Sequence, residues 1–387
     1  MIKIYILLAI VALYVSFVIY CKIRFRFWST QPVFHLHNLF YWLFPPGIIQ
    51  HELPPFTKFY DPKIEFYSWN TLSDDKKEQF YRLNRQFYLH DEQVTYQPTR
   101  ESIFSYFEKH NDPCFISLLY ENDFLIHYSK NEVIPEQKCI ASLTSRPLDI
   151  SLHGNKLKVN YVDYLCVDKK KRKQGIAPRM IYSYYVQSRR HHDTMVYLFK
   201  REGVGTFITP MTVYLTYGFQ IKTPTLQKTR DILMITEDNF ATFYHYLKTI
   251  KKDFPCFVHP TFSQLKYLLQ QKLLYIFLLM DSNGPWGCFV FRNPYTSYNK
   301  KGKSIDCIAS YCSNMERKDE FILLFNYCFP YIDYSFQYLL IENISHNQYI
   351  TENILKTKNP FLRSHTSYYL YNFAYRPFLS QDVFLLS

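Results

Sequence analysis

Glycine is scarce in this chain, at 9 residues in 387. That excludes a glycine-rich disordered or collagen-like chain, and each remaining glycine is expected where the backbone needs a positive φ or a close approach. No CxxC pair occurs among the nine cysteines, Cys21, Cys114, Cys139, Cys166, Cys256, Cys288, Cys307, Cys312 and Cys328, and their number is odd. A disulfide framework and a paired-thiol zinc site are both excluded, so these thiols are expected to be reduced and mostly buried, and no metal is expected. No zinc-finger, helix-turn-helix or RNA-binding signature accompanies the net charge of +12. The expected partners of that charge are an anionic membrane surface and a phosphorylated cofactor, with no nucleic acid.

What is abundant is aromatic. Tyrosine numbers 36 and phenylalanine 34, spread through every segment, which reads as core packing rather than one stacking platform. With 48% apolar and 20% charged residues the chain has a globular composition. Basic residues gather at Lys22–Arg26 and Lys169–Lys173, with smaller groups near Lys251 and Lys300.

Ile4 to Tyr20 is uncharged and apolar all round, at the short end of what spans a bilayer core. No small-x-small cleavage site follows, and Lys22, Arg24 and Arg26 do, which favours a retained anchor over a signal peptide. These charges outweigh Lys3, so the body is expected on the cytoplasmic side of a single-pass N-terminal anchor. The aromatic stretch Leu39–Phe44 is too short to span and is broken by Pro45 and Pro46; it reads as a packed or an interfacial segment.

Residues 45–62 are proline-rich and expected to be extended. Ser73 and Asp74 offer caps for a helix over Asp75–Tyr88, and a second helical pattern covers Glu101–Lys109. Phe115–Tyr120, Phe124–Tyr128 and Lys138–Arg146 read as strands of a meander, followed by a longer strand at Lys156–Val167 and a helix at Pro178–Gln187. The order recurs loosely later. Helices are expected at Phe240–Lys248 and Phe262–Lys272, strands at Leu273–Met280, Gly287–Phe291 and Ile305–Tyr311, a helix from Lys318, and a strand at Tyr338–Ile341. The fold class is therefore α/β (α+β mixed), with two related halves. The expected divisions are an anchor over 1–21, a first half over 22–222 and a second over 223–387.

The chemistry concentrates where the strand ending at Val167 runs into Arg172-Lys-Gln-Gly175-Ile-Ala177 and then a helix. A helix N-terminus offers unpaired N–H groups and a positive dipole end, which together hold phosphate. Gly175 lets the backbone approach the oxygens, and Pro178 can serve as the first helical residue. This arrangement resembles the coenzyme A pyrophosphate loop of the GNAT superfamily. Three further segments are similar to the protein N-myristoyltransferases. Phe27-Trp28-Ser29-Thr30-Gln31-Pro32-Val33 resembles the family's FWxTQPV, Tyr164-Leu165-Cys166-Val167 with its basic run and Ala177-Pro178 resembles FLCV…KK…R…AP, and Tyr368–Phe373 resembles YYLYNW.

The resemblance implies two pseudo-symmetric GNAT-like halves in one compact body, the first binding acyl-CoA and the second most of the acceptor. It implies transfer of myristate from myristoyl-CoA to the N-terminal glycine of a protein. The acyl-CoA contacts carried over are Arg26, Phe27, Trp28, Tyr164, Leu165, Cys166, Val167, Lys173, Gly175, Ile176 and Ala177. The backbone N–H groups of Tyr164 and Leu165 would stabilise the oxyanion, and the terminal carboxylate on Ser387 would be the general base, tucked in by Phe384-Leu385-Leu386. The tail could equally be a plain core strand.

The chain also departs from the pattern. Lys358–Ser364 stands where the family has a GxGDG loop, Asn343 where it has an Asp, Tyr197-Leu-Phe-Lys200 where it has YTAG, and Gly175 in place of a basic residue. Two other functions fit these departures: an acyltransferase with a different amine acceptor, or a catalytically silent scaffold that binds acyl-CoA or an acylated protein. His191-His192-Asp193 reads as a solvated helix end, since neighbouring helical side chains point about 100° apart. His35 and His37 lack an acidic partner, and Cys166 reads as a buried strand thiol.

Overall fold

In the computed structural model the described residues are 2–90, 93–127, 132–203, 207–221, 227–299, 302–332 and 335–387, with the backbone alone described at 125–127 and 132–135. Tyr128, Lys222 and Lys300, which bear on an expected strand end, a domain boundary and a basic group, lie outside them.

The apolar N-terminal run forms a 23-residue helix, α1 (Ile2–Arg24), whose hydropathy and length suffice to cross a membrane. Its side chains are exposed except at the foot, where Cys21 is buried and Phe25 beyond it stacks on Phe207 at 4.4 Å. A core helix would be buried instead. After it come α2 (Leu39–Leu43) and α3 (Asp74–Phe87), the latter capped by Ser73, whose hydroxyl accepts from the Lys76 N–H. The helix expected over Glu101–Lys109 is shorter: Arg100–Phe104, capped by Thr99 and closed by a 3₁₀ turn over Ser105–Phe107.

The first half then builds three antiparallel strands, β1 (Phe115–His127), β2 (Glu132–Leu152) and β3 (Asn155–Val167). The two strands expected at Phe115–Tyr120 and Phe124–Tyr128 are one. A bulge between Leu119 and Tyr120 absorbs the polar Glu121-Asn-Asp that reads as a turn, and the ladder runs on. Helix α4 (Ile176–His191) crosses over to β4 (Tyr197–Glu202), which lies parallel to β3. The second half follows the same plan. Strands β7 (Leu274–Asp281), β8 (Gly284–Arg292) and β9 (Gly302–Cys312) are antiparallel, and a helix at Lys318–Asn326 leads to the parallel strand β10 (Phe336–Glu342). Meander, helix and parallel fourth strand thus occur twice, as the loose repeat implied.

The halves interlock by exchanging strands. Strand β5 (Thr212–Gln220) leaves the first half to pair with β10, while β11 (Leu362–Tyr371) returns from the second to pair with β4. The two exchanged strands pair with each other, so one sheet runs through the molecule. At its far end β6 (Cys256–His259) borders β2 and carries the tail strand β12 (Val383–Leu385). Val383, Phe384, Leu385 and Leu386 are all buried, so the tail is indeed tucked inside.

Close approach at the exchange explains one of the rare glycines. A Cβ on Gly218 would lie 2.8 Å from the Phe361 ring and 2.9 Å from the Leu362 Cβ, which is backbone-fixed. Gly218→Ala should therefore destabilise the fold by about 1–3 kcal/mol, as overpacking does. A urea midpoint unchanged from the parent would refute that.

Candidate active site

The loop after β3 is built by its own charges. Asp168 is buried and accepts from the Lys170 N–H at 2.9 Å and the Lys138 ammonium at 3.1 Å. Burial works to raise its pKa, but these donors win and hold it below the ordinary value. Arg172 is spent on the backbone, donating to the carbonyls of Val167 (3.1 Å) and Phe87 (2.8 Å). Gly175 takes φ +74° as the N-cap of α4, the left-handed conformation its identity suggested, with open space beside it. The helix begins at Ile176, so Pro178 is its third residue and not its first. Its missing N–H is still one that no helical carbonyl would use.

This helix end floors a cleft of about 590 Å³ lined by Phe87, Tyr88, Leu165–Val167, Lys171–Lys173 and Gly175–Pro178. A second cleft of about 350 Å³ adjoins it through Tyr88 and Leu165. Trp28, Ile181, Tyr197, Phe199 and Tyr371 give it aromatic and aliphatic walls, and Trp28 stacks on Phe199 at 5.7 Å. One cleft offers positive charge at a helix N-terminus; the next offers an apolar slot. Together they suit an anionic head joined to an apolar tail.

Where the two meet, β3 breaks its ladder. The register shifts between Ser142 and Thr144, leaving Tyr164 and Leu165 as a bulge, and Tyr164 takes φ +49°. A bulky residue in that region is strained and is held there by its surroundings. The Tyr164 carbonyl accepts from the Ser142 hydroxyl at 3.1 Å, its phenol meets that of Tyr96 at 3.0 Å, and its N–H donates to the Asp163 carboxylate at 2.8 Å. Tyr88 also donates to Asp163, at 2.9 Å. The bulge thus lies at the junction of the clefts, with the Tyr164 N–H occupied by Asp163.

Of the other residues expected at the site, Cys166, Val167, Lys173, Ile176 and Ala177 line the first cleft. Phe27 lines neither; it packs edge-on against Trp28 and Phe59 and so supports the wall. Arg26 lines neither and is exposed just past α1. The Cys166 thiol is pushed up to about 12 by burial, an inert strand thiol. All nine cysteines are free and buried. His191 ends α4 exposed, leaning on Phe66. Among the described residues no cluster of three His, Cys, Asp or Glu could hold a metal.

A third feature was not foreseen. Beneath the exchanged strands lies a buried ion cluster: Lys200 reaches Glu342 at 2.8 Å, and Arg292 reaches Glu342 at 3.3 Å and Asp306 at 3.2 Å. Tyr214 donates to Glu342 at 2.6 Å. Arg292 also donates to the Ser387 carbonyl oxygen at 3.0 Å, and the Ser387 hydroxyl meets the Tyr368 phenol at 2.9 Å. Burial opposes the Glu342 carboxylate, but Lys200 and Arg292 outweigh it and hold its pKa below the ordinary value. Asp306 goes the other way. Burial raises it to about 6, Arg292 only partly opposing and Glu342 adding, and its Oδ1 is buried without a hydrogen bond. The signal for these residues was single charges inside apolar strands, as in Phe-Val-Phe-Arg292, Ser-Ile-Asp306-Cys-Ile and Leu-Leu-Ile-Glu342.

The profile described as "Myristoyl-CoA:protein N-myristoyltransferase, N-terminal domain" matches residues 56–197. That stretch holds β1 to β3, the bulge, the basic loop and α4. Over that stretch the chain is similar to the N-myristoyltransferases. Among curated N-myristoyltransferases it is similar to the glycylpeptide N-tetradecanoyltransferase of Ajellomyces capsulatus, at 26% identity over 166 residues, covering 41% of this chain and 28% of that protein. The Emericella nidulans protein of the same name is 24% identical over 160 residues, covering 41% of this chain and 31% of its own length. The fold extends the likeness to the whole body. The crystal structure of Saccharomyces cerevisiae N-myristoyltransferase with bound myristoyl-CoA superposes with a TM-score of 0.71 at 13% identity, covering 94% of this chain and 99% of that one. The body therefore has the N-myristoyltransferase fold over nearly its whole length, while the sequence match is confined to residues 56–197.

The ion cluster gives a pH signature. Asp306 binds its proton more tightly folded (about 6) than at its ordinary 3.8, so its contribution to stability is present below pH 4 and is lost as pH rises through 6. Asp306→Asn should therefore gain on the parent by about 2 kcal/mol between pH 4 and pH 7. Denaturation curves whose difference does not change with pH would show that Asp306 titrates normally.

Proposed function

We propose that the protein is a membrane-anchored acyltransferase that moves myristate from myristoyl-CoA to the N-terminal glycine of a protein. The observation that carries this reading is the pair of joined clefts, one cationic at the N-terminus of α4 and one apolar, meeting at the Tyr164–Leu165 bulge. In it, the pyrophosphate lies against Gly175–Ala177 and Lys173, and the acyl chain lies along Trp28, Tyr197 and Phe199. The thioester carbonyl then sits at the bulge, where the Leu165 N–H, and that of Tyr164 once it exchanges Asp163 for substrate, stabilise the oxyanion. Donors so placed are worth on the order of a hundredfold or more in rate.

The first half (22–222) takes the acyl-CoA and the second (223–387) most of the acceptor. With Ser387 as terminal residue, its carboxylate is the proton acceptor, and Arg292 and Tyr368 fix its position. The neutral amine attacks the thioester carbon and its proton passes to the carboxylate; the carbon–sulfur bond breaks, and the coenzyme A thiolate takes up that proton to leave as the thiol. Helix α1 holds the body at the cytoplasmic face of a bilayer, with Lys22, Arg24 and Arg26 at the lipid surface.

A second reading has one specific observation in its favour. Lys200 lies in the segment that replaces the family's YTAG and is tied to Glu342, so charge fills the acceptor side. Under that reading the chain binds acyl-CoA and does not turn over.

Release of free coenzyme A from myristoyl-CoA in the presence of glycine-initiated peptides separates the two. Release dependent on an N-terminal glycine is expected; tight acyl-CoA binding with no release would leave the scaffold. If the carboxylate is the base, two residues added after Ser387 should lower kcat at least a hundredfold with acyl-CoA affinity intact. Unchanged kcat would remove it from that role.

A further inference from the structure

The segment following the N-terminal basic residues presents an unusual surface. Outside α1, seventeen large apolar side chains are exposed among the described residues, and six of them fall between Leu36 and Phe44. Leu39, Phe40, Leu43 and Phe44 are each 59–65% exposed. Such density on a water-facing surface marks a contact site. The opposite face of α2 is fixed: buried Phe34 packs against the rings of Tyr41 and Trp42 at 5.8 and 5.0 Å.

The position of this surface relative to α1 identifies what covers it. The Tyr14 hydroxyl donates to the His37 carbonyl at 2.9 Å. Tyr14 lies ten residues before Arg24, roughly 15 Å along the helix axis. The loop that carries α2 is thus held against the apolar middle of α1, not against its basic foot. Any bilayer that takes α1 must meet this segment as well.

Two polar groups on and beside α2 are satisfied from within, as a low-dielectric layer favours. The Trp42 indole N–H donates to the Leu36 carbonyl at 3.1 Å, and the Asn38 side chain caps the Tyr41 N–H. The surrounding charge is of one sign. No Asp or Glu occurs before Glu52, while Lys22, Arg24 and Arg26 flank α1, and the exposed Arg376 donates to the Leu43 carbonyl at 3.5 Å. Apolar side chains with a cationic rim fit the headgroup–acyl boundary of an anionic bilayer.

We infer that Leu36–Phe44 is a second membrane-contact element, an interfacial helix that enters the lipid beside the anchor and fixes the orientation of the body. It rests on the anchor reading of α1. Two contacts prevent the body from swivelling on a single helix. They also keep the apolar cleft, whose wall residue Trp28 follows α1 directly, near the bilayer surface.

The test uses the full chain in vesicles of phosphatidylcholine and phosphatidylserine. Because the native cysteines are buried, single cysteines introduced by Leu7→Cys, Leu39→Cys, Leu43→Cys and Leu323→Cys can carry an environment-sensitive fluorophore. Nitroxide lipids should quench the probes at 7, 39 and 43 several-fold more than the probe at 323, and aqueous iodide should do the reverse. A quenched probe at 7 with iodide-accessible probes at 39 and 43 would overturn the inference and leave the anchor standing. A probe at 7 open to iodide would remove the anchor itself, and this element with it. Positions 39 and 43 are both exposed, so a variant that fails to fold at one leaves the other to decide.

Discussion

The antiparallel pairing of Thr212–Gln220 with Leu362–Tyr371 is the contact on which the rest depends. Each of these strands completes the sheet of the other half, so the register between them sets how the halves face each other. Lys200 comes from a strand beside this pair on one side and Glu342 from the strand beside it on the other. Their 2.8 Å ion pair therefore bridges the exchanged strands from beneath. A one-residue slip would send every side chain of the pair to the opposite face and pull the charges apart. Removing one partner would strand a buried charge, which in proteins of this kind costs several kcal/mol.

The same geometry gathers the chemistry. The bulge at Tyr164 faces the clefts because its ladder to β2 slips there, and the tail reaches the cluster because β12 lies alongside Cys256–His259. Arg292 ties these parts together: it spans Asp306, Glu342 and the Ser387 carbonyl, linking strands of the second half to the tail. Its two carboxylates behave oppositely. Glu342, with two cations, stays charged, whereas Asp306, with one shared cation and an unbonded oxygen, is driven toward its neutral form.

Much of the first half could be read from the chain alone. A β-branched strand, a run of basic residues, one glycine and a helical pattern specify the strand–loop–helix turn locally, and Gly175 takes the conformation that its identity demands. The Tyr164 bulge could not be read, because no glycine or proline marks it; packing against Tyr96, Tyr88 and Phe80 imposes the positive φ. The ion cluster was hidden for a different reason. Its members sit on four strands, and each alone looks like a stray charge in an apolar run. The strand exchange left no local trace either, since the pattern reports which residues are strands and not which strands they join. The merged strand at Phe115–His127 shows the converse error, where turn-type residues are overruled by a long ladder.

The exchange also has a consequence for how the chain is made. Strand β4 is complete at Glu202, but the strand that covers its edge begins at Leu362, some 160 residues later. During synthesis the first half must wait with an open edge, unable to close its sheet, until the distant partner emerges. Maturation of the body is therefore late, set by the emergence of that distant strand.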